Sequence, residues 1–210
     1  IRVLDDHPRW PADGVSRANM NVGVHPTTGT GAGVLTTVDL TGHDADLLLN
    51  ALVIGSYPVR AGGWTNTFSF NQGVLDASST SISAGKLNNA NLAASVVNIG
   101  GGTASLGPVI LSASPADAAL NINNATVSAN SISDTGTGIG SLDINNSTLN
   151  VNIQGFGNPA TPPVSVDVFN ATGAVNLGVN GTGFAVGQFA LIQYTGLIGG
   201  AGFASLNLAS

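Results

Sequence analysis

Apolar and polar residues alternate strictly in two closely similar segments near the middle of the chain. Residues 119–130 read Ala-Leu-Asn-Ile-Asn-Asn-Ala-Thr-Val-Ser-Ala-Asn, and residues 141–152 read Ser-Leu-Asp-Ile-Asn-Asn-Ser-Thr-Leu-Asn-Val-Asn. A period of two residues is typical of β-strands with one buried face. Ile122 and Ile144 hold the same place in the two segments, 22 residues apart. A repeat of this length predicts coils stacked into a solenoid.

Both segments contain an apolar residue followed by an Asn-rich pair, and this motif occurs four times in all, at Phe70, Leu87, Ile122 and Ile144. The spacings are 17, 35 and 22 residues, and a solenoid tolerates such irregularity because its turns lengthen freely. Asn adopts the left-handed backbone conformation of a tight corner better than any residue except Gly. Asn side chains stacked at ~4.8 Å also hydrogen-bond to one another. We therefore expect amide ladders at the corners, formed by Asn71, Asn88, Asn89, Asn123, Asn124, Asn145 and Asn146.

The alternation begins near Val34, whereas residues 1–33 contain three Pro and little periodicity. We predict an irregular N-terminal arm or cap over residues 1–33 and a solenoid over residues 34–210. The apolar run Leu47–Ile54 is short enough for a fully buried strand. The predicted fold is all-β, a parallel β-helix (β-solenoid) that we expect to be right-handed.

The segment from Phe189 to Tyr194 is apolar on both faces of the strand that it predicts, so we expect a partner to cover its outer face. Neither end of the chain shows an amphipathic capping helix, and an uncovered solenoid end exposes unpaired backbone groups. We expect copies of the chain to associate end to end or by strand donation into a filament, matrix or surface layer. The predicted self-association residues are Phe189, Leu191, Ile192 and Tyr194.

Composition narrows the possible partners. Only 8% of the residues are charged, all eleven acidic residues are Asp, and the net charge is −6. The five basic residues all lie within the first 86 positions, which argues against nucleic acid as a partner. No stretch approaches 18 uninterrupted apolar residues, so we predict no transmembrane segment.

Parallel β-helices also include enzymes that cleave polysaccharides, and Asp134 with Asp143 is the best candidate for the carboxylate pair that a glycosidase needs. Asp134 lies between Ser133 and Thr135, as Asp in turns commonly does. A lyase needs a strong base and a cation to neutralise the substrate, and no Lys or Arg follows Lys86. We predict that the protein is not an enzyme. The alternatives are a carbohydrate-binding or carbohydrate-cleaving β-helix with surface glycans as partners, or an adhesin module.

The sequence His43-Asp44-Ala45-Asp46 is the one weak candidate for a metal site. Oxygen-rich clusters suit Ca²⁺, but this spacing matches no known calcium loop. A solvated turn before the Leu47 strand explains His43, Asp44 and Asp46 better, so we predict no metal and no cofactor.

The Asn-cornered motif and the closing pattern resemble bacterial surface proteins built from autotransporter-associated β-strand repeats, including those with C-terminal sorting signals. The closing pattern is Phe189-Ala-Leu-Ile-Gln-Tyr-Thr-Gly, then Gly200-Ala-Gly-Phe203 and Leu206-Asn-Leu208. The likeness covers roughly residue 37 to the end and is specific to the architecture. Because members of that family are exported β-solenoids, the resemblance implies an extracellular or cell-surface location in bacteria.

Overall fold

The computed structural model describes residues 9–10, 15–24, 29–30, 35–56, 60–61, 65–84, 94–113 and 117–208. Within these ranges the chain forms parallel strands in stacked sheets, and it contains no α-helix. The prediction of an all-β parallel solenoid is therefore confirmed.

The first strands are short except for one. They are β1 (Arg9–Trp10), β2 (Ala18–Val24), β3 (Gly29–Thr30), β4 (Leu35–Asp39), β5 (Ala45–Ser56) and β6 (Arg60–Ala61). The long strand β5 contains the predicted buried run and pairs with both β1 and β2. Strand β2 lies inside the predicted N-terminal arm, yet it pairs in parallel with β5 and buries Met20 and Val22. The described part of that arm thus joins the ladder as a partial first coil.

From β7 onward each coil contributes three strands. They are β7 (Thr65–Phe70), β8 (Gly73–Ala77) and β9 (Thr80–Ala84); β10 (Ala94–Ile99), β11 (Thr103–Ser105) and β12 (Pro108–Ala113); β13 (Asp117–Asn123), β14 (Thr126–Ala129) and β15 (Ser131–Asp134); β16 (Gly140–Asn145), β17 (Thr148–Phe156) and β18 (Val164–Val166); and β19 (Val168–Thr172), β20 (Val175–Thr182) and β21 (Ile192–Tyr194). A last coil holds β22 (Gly199–Gly200), a 3-10 helix (Gly202–Ser205) and β23 (Leu206–Leu208).

Stacking of these coils gives three walls around one core. Wall 1 is the seven-stranded sheet with the order β22-β19-β16-β13-β10-β7-β4. Wall 2 stacks β5, β8, β11, β14, β17, β20 and β23, and wall 3 stacks β5, β9, β12, β15, β18 and β21. The two stacks form one continuous sheet because the first half of β5 pairs with β8 and its second half with β9.

Inward-facing side chains stack in columns along the solenoid axis. In wall 1 the column is Phe68, Val97, Leu120, Leu142 and Phe169, and each of these side chains is at most 1% exposed. Burying a side chain of this size contributes roughly 1.5–3 kcal/mol. Val38 and Ile198 lie towards the two ends of this wall and are only partly buried. The core is thus well covered along its length and less covered at its ends.

The register corrects one part of the predicted repeat. The residue in line with Phe70 and Ile122 is Ile99, so the coil spacings along this column are 29, 23 and 22 residues. Leu87, which the sequence analysis put at this place, lies outside the described residues. The prediction failed because Gly100, Gly101 and Gly102 turn this corner without any Asn.

Candidate functional site

The last coil leaves an apolar depression at the C-terminal end of the solenoid, which we call the end site. It has a volume of about 390 Å³ and is lined by Phe169, Leu177, Leu191, Ile192, Tyr194, Phe203, Leu206, Asn207 and Leu208. Phe203 is 69% exposed and Leu208 is 78% exposed. Side chains of this kind are buried in the coils below, whereas these two are exposed within the described residues, which end at 208.

Local sequence explains why the last coil does not close the core. Phe169 is the last fully buried side chain of the wall 1 column, and its ring lies 6.1 Å from that of Tyr194. The strand above β19 is β22, which consists only of Gly199 and Gly200, and Ile198, the residue before it, is only partly buried. The short 3-10 helix follows and leaves Phe203 at the surface.

The end site also lacks charge. No Asp, Lys, Arg or His occurs from residue 168 to residue 210. Natural proteins usually protect a free edge strand with Lys, Pro or an inward-pointing charge. The terminal strands β21, β22 and β23 read Ile-Gln-Tyr, Gly-Gly and Leu-Asn-Leu and carry none of these. Their sequences therefore do not oppose pairing with another strand.

The predicted self-association residues separate into two groups. Leu191, Ile192 and Tyr194 pack against the core and line the end site. Phe189 lies outside it, with its ring stacked on that of Phe184 at 6.0 Å. The strand is also shorter than predicted, because only Ile192–Tyr194 is extended and paired. Because Leu191 precedes the strand, its side chain does not alternate with that of Ile192, and both pack against the core.

The described corner Asn residues do not all form the same contacts. Asn124 and Asn146 have φ values of 48° and 46°, in the left-handed region. Asn145 donates its side-chain amide to Asn123 Oδ1 at 2.7 Å, which is one step of an amide ladder. Asn71 instead accepts from the backbone N–H of Gly42 at 2.8 Å. Asn88 and Asn89 lie outside the described residues.

A second polar column runs along wall 1 beside the corners, and the sequence analysis missed it. Asn98 donates to Ser69 Oγ at 3.3 Å, Asn121 donates to Asn98 Oδ1 at 2.9 Å, and Asn170 donates to Asp143 Oδ1. With the corner residues this column borders a groove of about 370 Å³, lined by Asn98, Asn121, Ile122, Asn123, Asp143, Ile144, Asn145 and Thr172. Asn121 and Asp143 hold the same place in the two duplicated segments, so aligning those segments reveals the column.

The structure also relocates the candidate carboxylate pair. Asp143 belongs to the polar column, where it accepts from Asn170. Asp134 lies beside Asp167 instead, and the N–H of Gly140 donates to Asp134 Oδ2 at 3.0 Å and to Asp167 Oδ2 at 3.3 Å. Burial raises the pKa of Asp134, as do its hydrogen bond to Asp167 and the repulsion between the two groups, while backbone N–H groups of Gly136 and Gly140 lower it. We call Asp134 and Asp167 the carboxyl pair.

The weak metal candidates lie at the corner between β4 and β5. The N–H of His43 donates to the carbonyl oxygen of Leu40 at 3.2 Å, and Asp46 lies within β5 with 9% exposure. Among the described residues no three His or Asp side chains come together as a group able to hold a metal ion. The predicted solvated turn is wrong for Asp46, which is a buried residue of β5, whereas His43 is exposed in the turn before that strand.

Comparison with known proteins adds no family assignment. The chain matches no protein-family model, no curated protein and no solved structure at a significant level. In the described part of the chain no helix has the length and apolar character to cross a membrane.

Proposed function

We propose that this chain is a non-enzymatic structural β-solenoid of the bacterial cell surface or extracellular space, which self-associates through its C-terminal end. The observation that carries the proposal is the end site, where uncharged edge strands adjoin an open apolar core. Burial of apolar surface drives most protein association, and free strand edges supply hydrogen bonds to a neighbouring copy. The proposed location rests on the resemblance of the repeats and closing segment to autotransporter-associated repeat proteins.

Association through an end has a geometric consequence. If the end site binds the opposite end of another copy, the contact repeats and gives a filament. If two end sites bind each other, the assembly stops at a dimer with two-fold symmetry. Filaments, a matrix or a surface layer therefore require the first arrangement, and electron microscopy of the assembled protein distinguishes the two.

Sedimentation of the wild type and of two Lys variants tests the proposal. Leu208→Lys places a charge on the exposed edge strand β23, whereas Ile110→Lys places one on the side of wall 3, where Ile110 is 43% exposed. We expect wild type and Ile110→Lys to associate with rising concentration and Leu208→Lys to stay monomeric. A wild type that is monomeric at high concentration would overturn the proposal.

The alternative of a carbohydrate-binding β-helix has one observation in its favour, the polar groove on wall 1. Its lining residues are Asn, Asp, Thr and Ile, and no aromatic ring lies among them. Sugar-binding surfaces commonly stack rings on aromatic side chains, and a cleaving enzyme needs a second carboxylate beside Asp143. The amides of the groove also bind one another along the axis, which supports a stabilising role. A glycan-binding or adhesin function is therefore the second candidate.

A further inference from the structure

The carboxyl pair joins successive coils close to the end site. Asp134 ends β15, Asp167 lies between β18 and β19, and Gly140 begins β16. One N–H group, that of Gly140, serves both carboxyl groups, at 3.0 Å and 3.3 Å. Gly136 donates a further N–H to Asp134 Oδ1 at 3.0 Å. Two carboxylates that share one donor repel each other strongly unless one of them holds a proton.

Among the residues that the structure describes, the strands around the pair offer no cation. Strand β12 contributes Leu111 as the register partner of Asp134, and the adjoining strands β13 and β16 carry only the acidic groups Asp117 and Asp143. Strands β18, β19 and β21 carry no Lys, Arg or His. The sequence contains none of these residues after Lys86. Protonation of the carboxyl pair would therefore relieve the repulsion between Asp134 and Asp167.

Asp167 connects the pair to the end site. Its carbonyl oxygen accepts from the N–H of Thr195 at 3.2 Å, and its Oδ1 accepts from the Thr195 hydroxyl at 3.0 Å. Thr195 directly follows Tyr194, the residue of β21 whose ring contacts that of Phe169 and lines the end site. A displacement of Asp167 would therefore loosen the chain just after β21.

We propose that the protonation state of the Asp134–Asp167 pair controls how firmly β21 is held, and that it thereby regulates self-association at the end site. The inference rests on the proposed function. With one shared proton the carboxyl groups stay together, Thr195 is held, and the apolar wall formed by Ile192 and Tyr194 is ordered for binding. When Asp134 loses its proton, repulsion moves Asp167 away and the end site loses that wall. The raised pKa of Asp134 agrees with a proton retained on the pair.

Three proteins test this inference: wild type, Asp134→Asn, and the control Asp117→Asn, which removes the same charge at the start of the same coil, in β13. Hydrogen exchange of residues 193–196 is compared between proteins at one neutral pH, so that the intrinsic pH dependence of exchange cancels. Sedimentation is measured at about pH 4 and about pH 7.5, on either side of the range in which a raised carboxyl pKa titrates.

We expect wild type and Asp117→Asn to associate more strongly in acid. Asp134→Asn should lose this pH dependence, associate at neutral pH as the wild type does in acid, and protect residues 193–196. If wild type associates equally at both pH values, or if Asp134→Asn behaves as Asp117→Asn does, the regulation is refuted and the proposed function stands. If wild type is monomeric at both pH values, the proposed function fails and the regulation fails with it.

Discussion

Asp134 and Asp167 accept hydrogen bonds from the same backbone N–H, that of Gly140, although they lie on successive coils. This arrangement makes the stability of the fold depend on pH. The pKa of Asp134 is raised by burial and by Asp167, so the folded chain holds a proton that the unfolded chain loses above about pH 4.

Replacement of Asp134 by Asn should therefore stabilise the protein at neutral pH. Protonated Asp134 stabilises the fold fully below about pH 4, the pKa of Asp in the unfolded chain. This stabilisation is lost as pH rises through the raised pKa that Asp134 has in the folded chain. Asn keeps the shape of the neutral acid and cannot ionise. Only one side-chain atom of Asn can accept a backbone N–H, whereas both oxygens of Asp134 do so. We therefore expect the urea midpoint of Asp134→Asn, relative to that of the wild type, to be higher at neutral pH than in acid.

Asp39 provides a control, because its pKa is shifted in the opposite direction to that of Asp134. The hydroxyl of Thr41 donates to Asp39 Oδ1 at 2.7 Å, and this bond is the main reason that the pKa of Asp39 is lowered. Its contribution is present above the unfolded pKa and is lost as pH falls. Asp39→Asn should be less stable than the wild type at neutral pH and should converge with it in acid. If both variants shift stability in the same direction, the pKa assignments are wrong.

A second prediction concerns the left-handed corner at Asn146. Its φ is 46°, and its Oδ1 accepts the N–H of Ala174 at 3.1 Å. Asn146→Ala should cost about 1–2 kcal/mol, since Ala tolerates this conformation poorly. Asn146→Gly keeps the conformation and loses only the side-chain hydrogen bond, about 0.5–1.5 kcal/mol. Thermal unfolding measures both changes.

The corner at Asn124, where φ is 48°, provides the matching comparison one coil below. Asn124→Ala should be destabilising for the same conformational reason, while Asn124→Gly should be close to neutral. An Ala variant as stable as its Gly counterpart at both corners would show that the backbone there is not left-handed.

A third prediction concerns Asp143 in the polar column of wall 1. The side-chain nitrogens of Asn98 and Asn121 both donate toward the preceding coil, so Asn121 Oδ1 lies on the side of Asp143, its register partner. A carboxylate cannot donate to that oxygen. Asp143→Asn supplies the missing donor and should stabilise the protein by about 0.5–1.5 kcal/mol.

Asp143→Ala is the control for this change, because it removes the acceptor for Asn170 without adding a donor. It should be less stable than the wild type in thermal unfolding. A loss of stability in Asp143→Asn would show that the amides of Asn98 and Asn121 are turned the other way and donate toward Asp143.

The architecture was predictable because it is encoded locally. The alternation around Ile122 and Ile144 identified strands, and the Asn at positions 124 and 146 identified corners, since each feature depends on a few adjacent residues. The coil of Ile99 was misplaced because Gly100–Gly102 turns the same corner with a different residue type. The sequence pattern used Asn to identify these corners, and it missed the corner at which Gly adopts the same left-handed conformation.

The candidate sites were harder to predict because they depend on register between distant coils. Asp134 and Asp167 are 33 positions apart, and their contact requires the loop between β17 and β18 to lie outside the paired strands of the wall. The end site likewise depends on where alternation stops. Only Ile192–Tyr194 is extended, so the facing of Leu191 and Phe189 did not follow from the sequence.

A final prediction separates the stability of the core from association at the end site. Phe68 is fully buried in the wall 1 column, so Phe68→Ala should cost about 3–5 kcal/mol in chemical unfolding. Phe203 is 69% exposed, and Phe203→Ala should change the free energy of unfolding by no more than about 0.5 kcal/mol while weakening self-association in sedimentation. Because each coil contacts only its neighbours, loss of Phe68 should unfold the coils around β7 first. If Phe203→Ala destabilises the monomer as much as Phe68→Ala does, Phe203 belongs to the core and the end site is not open.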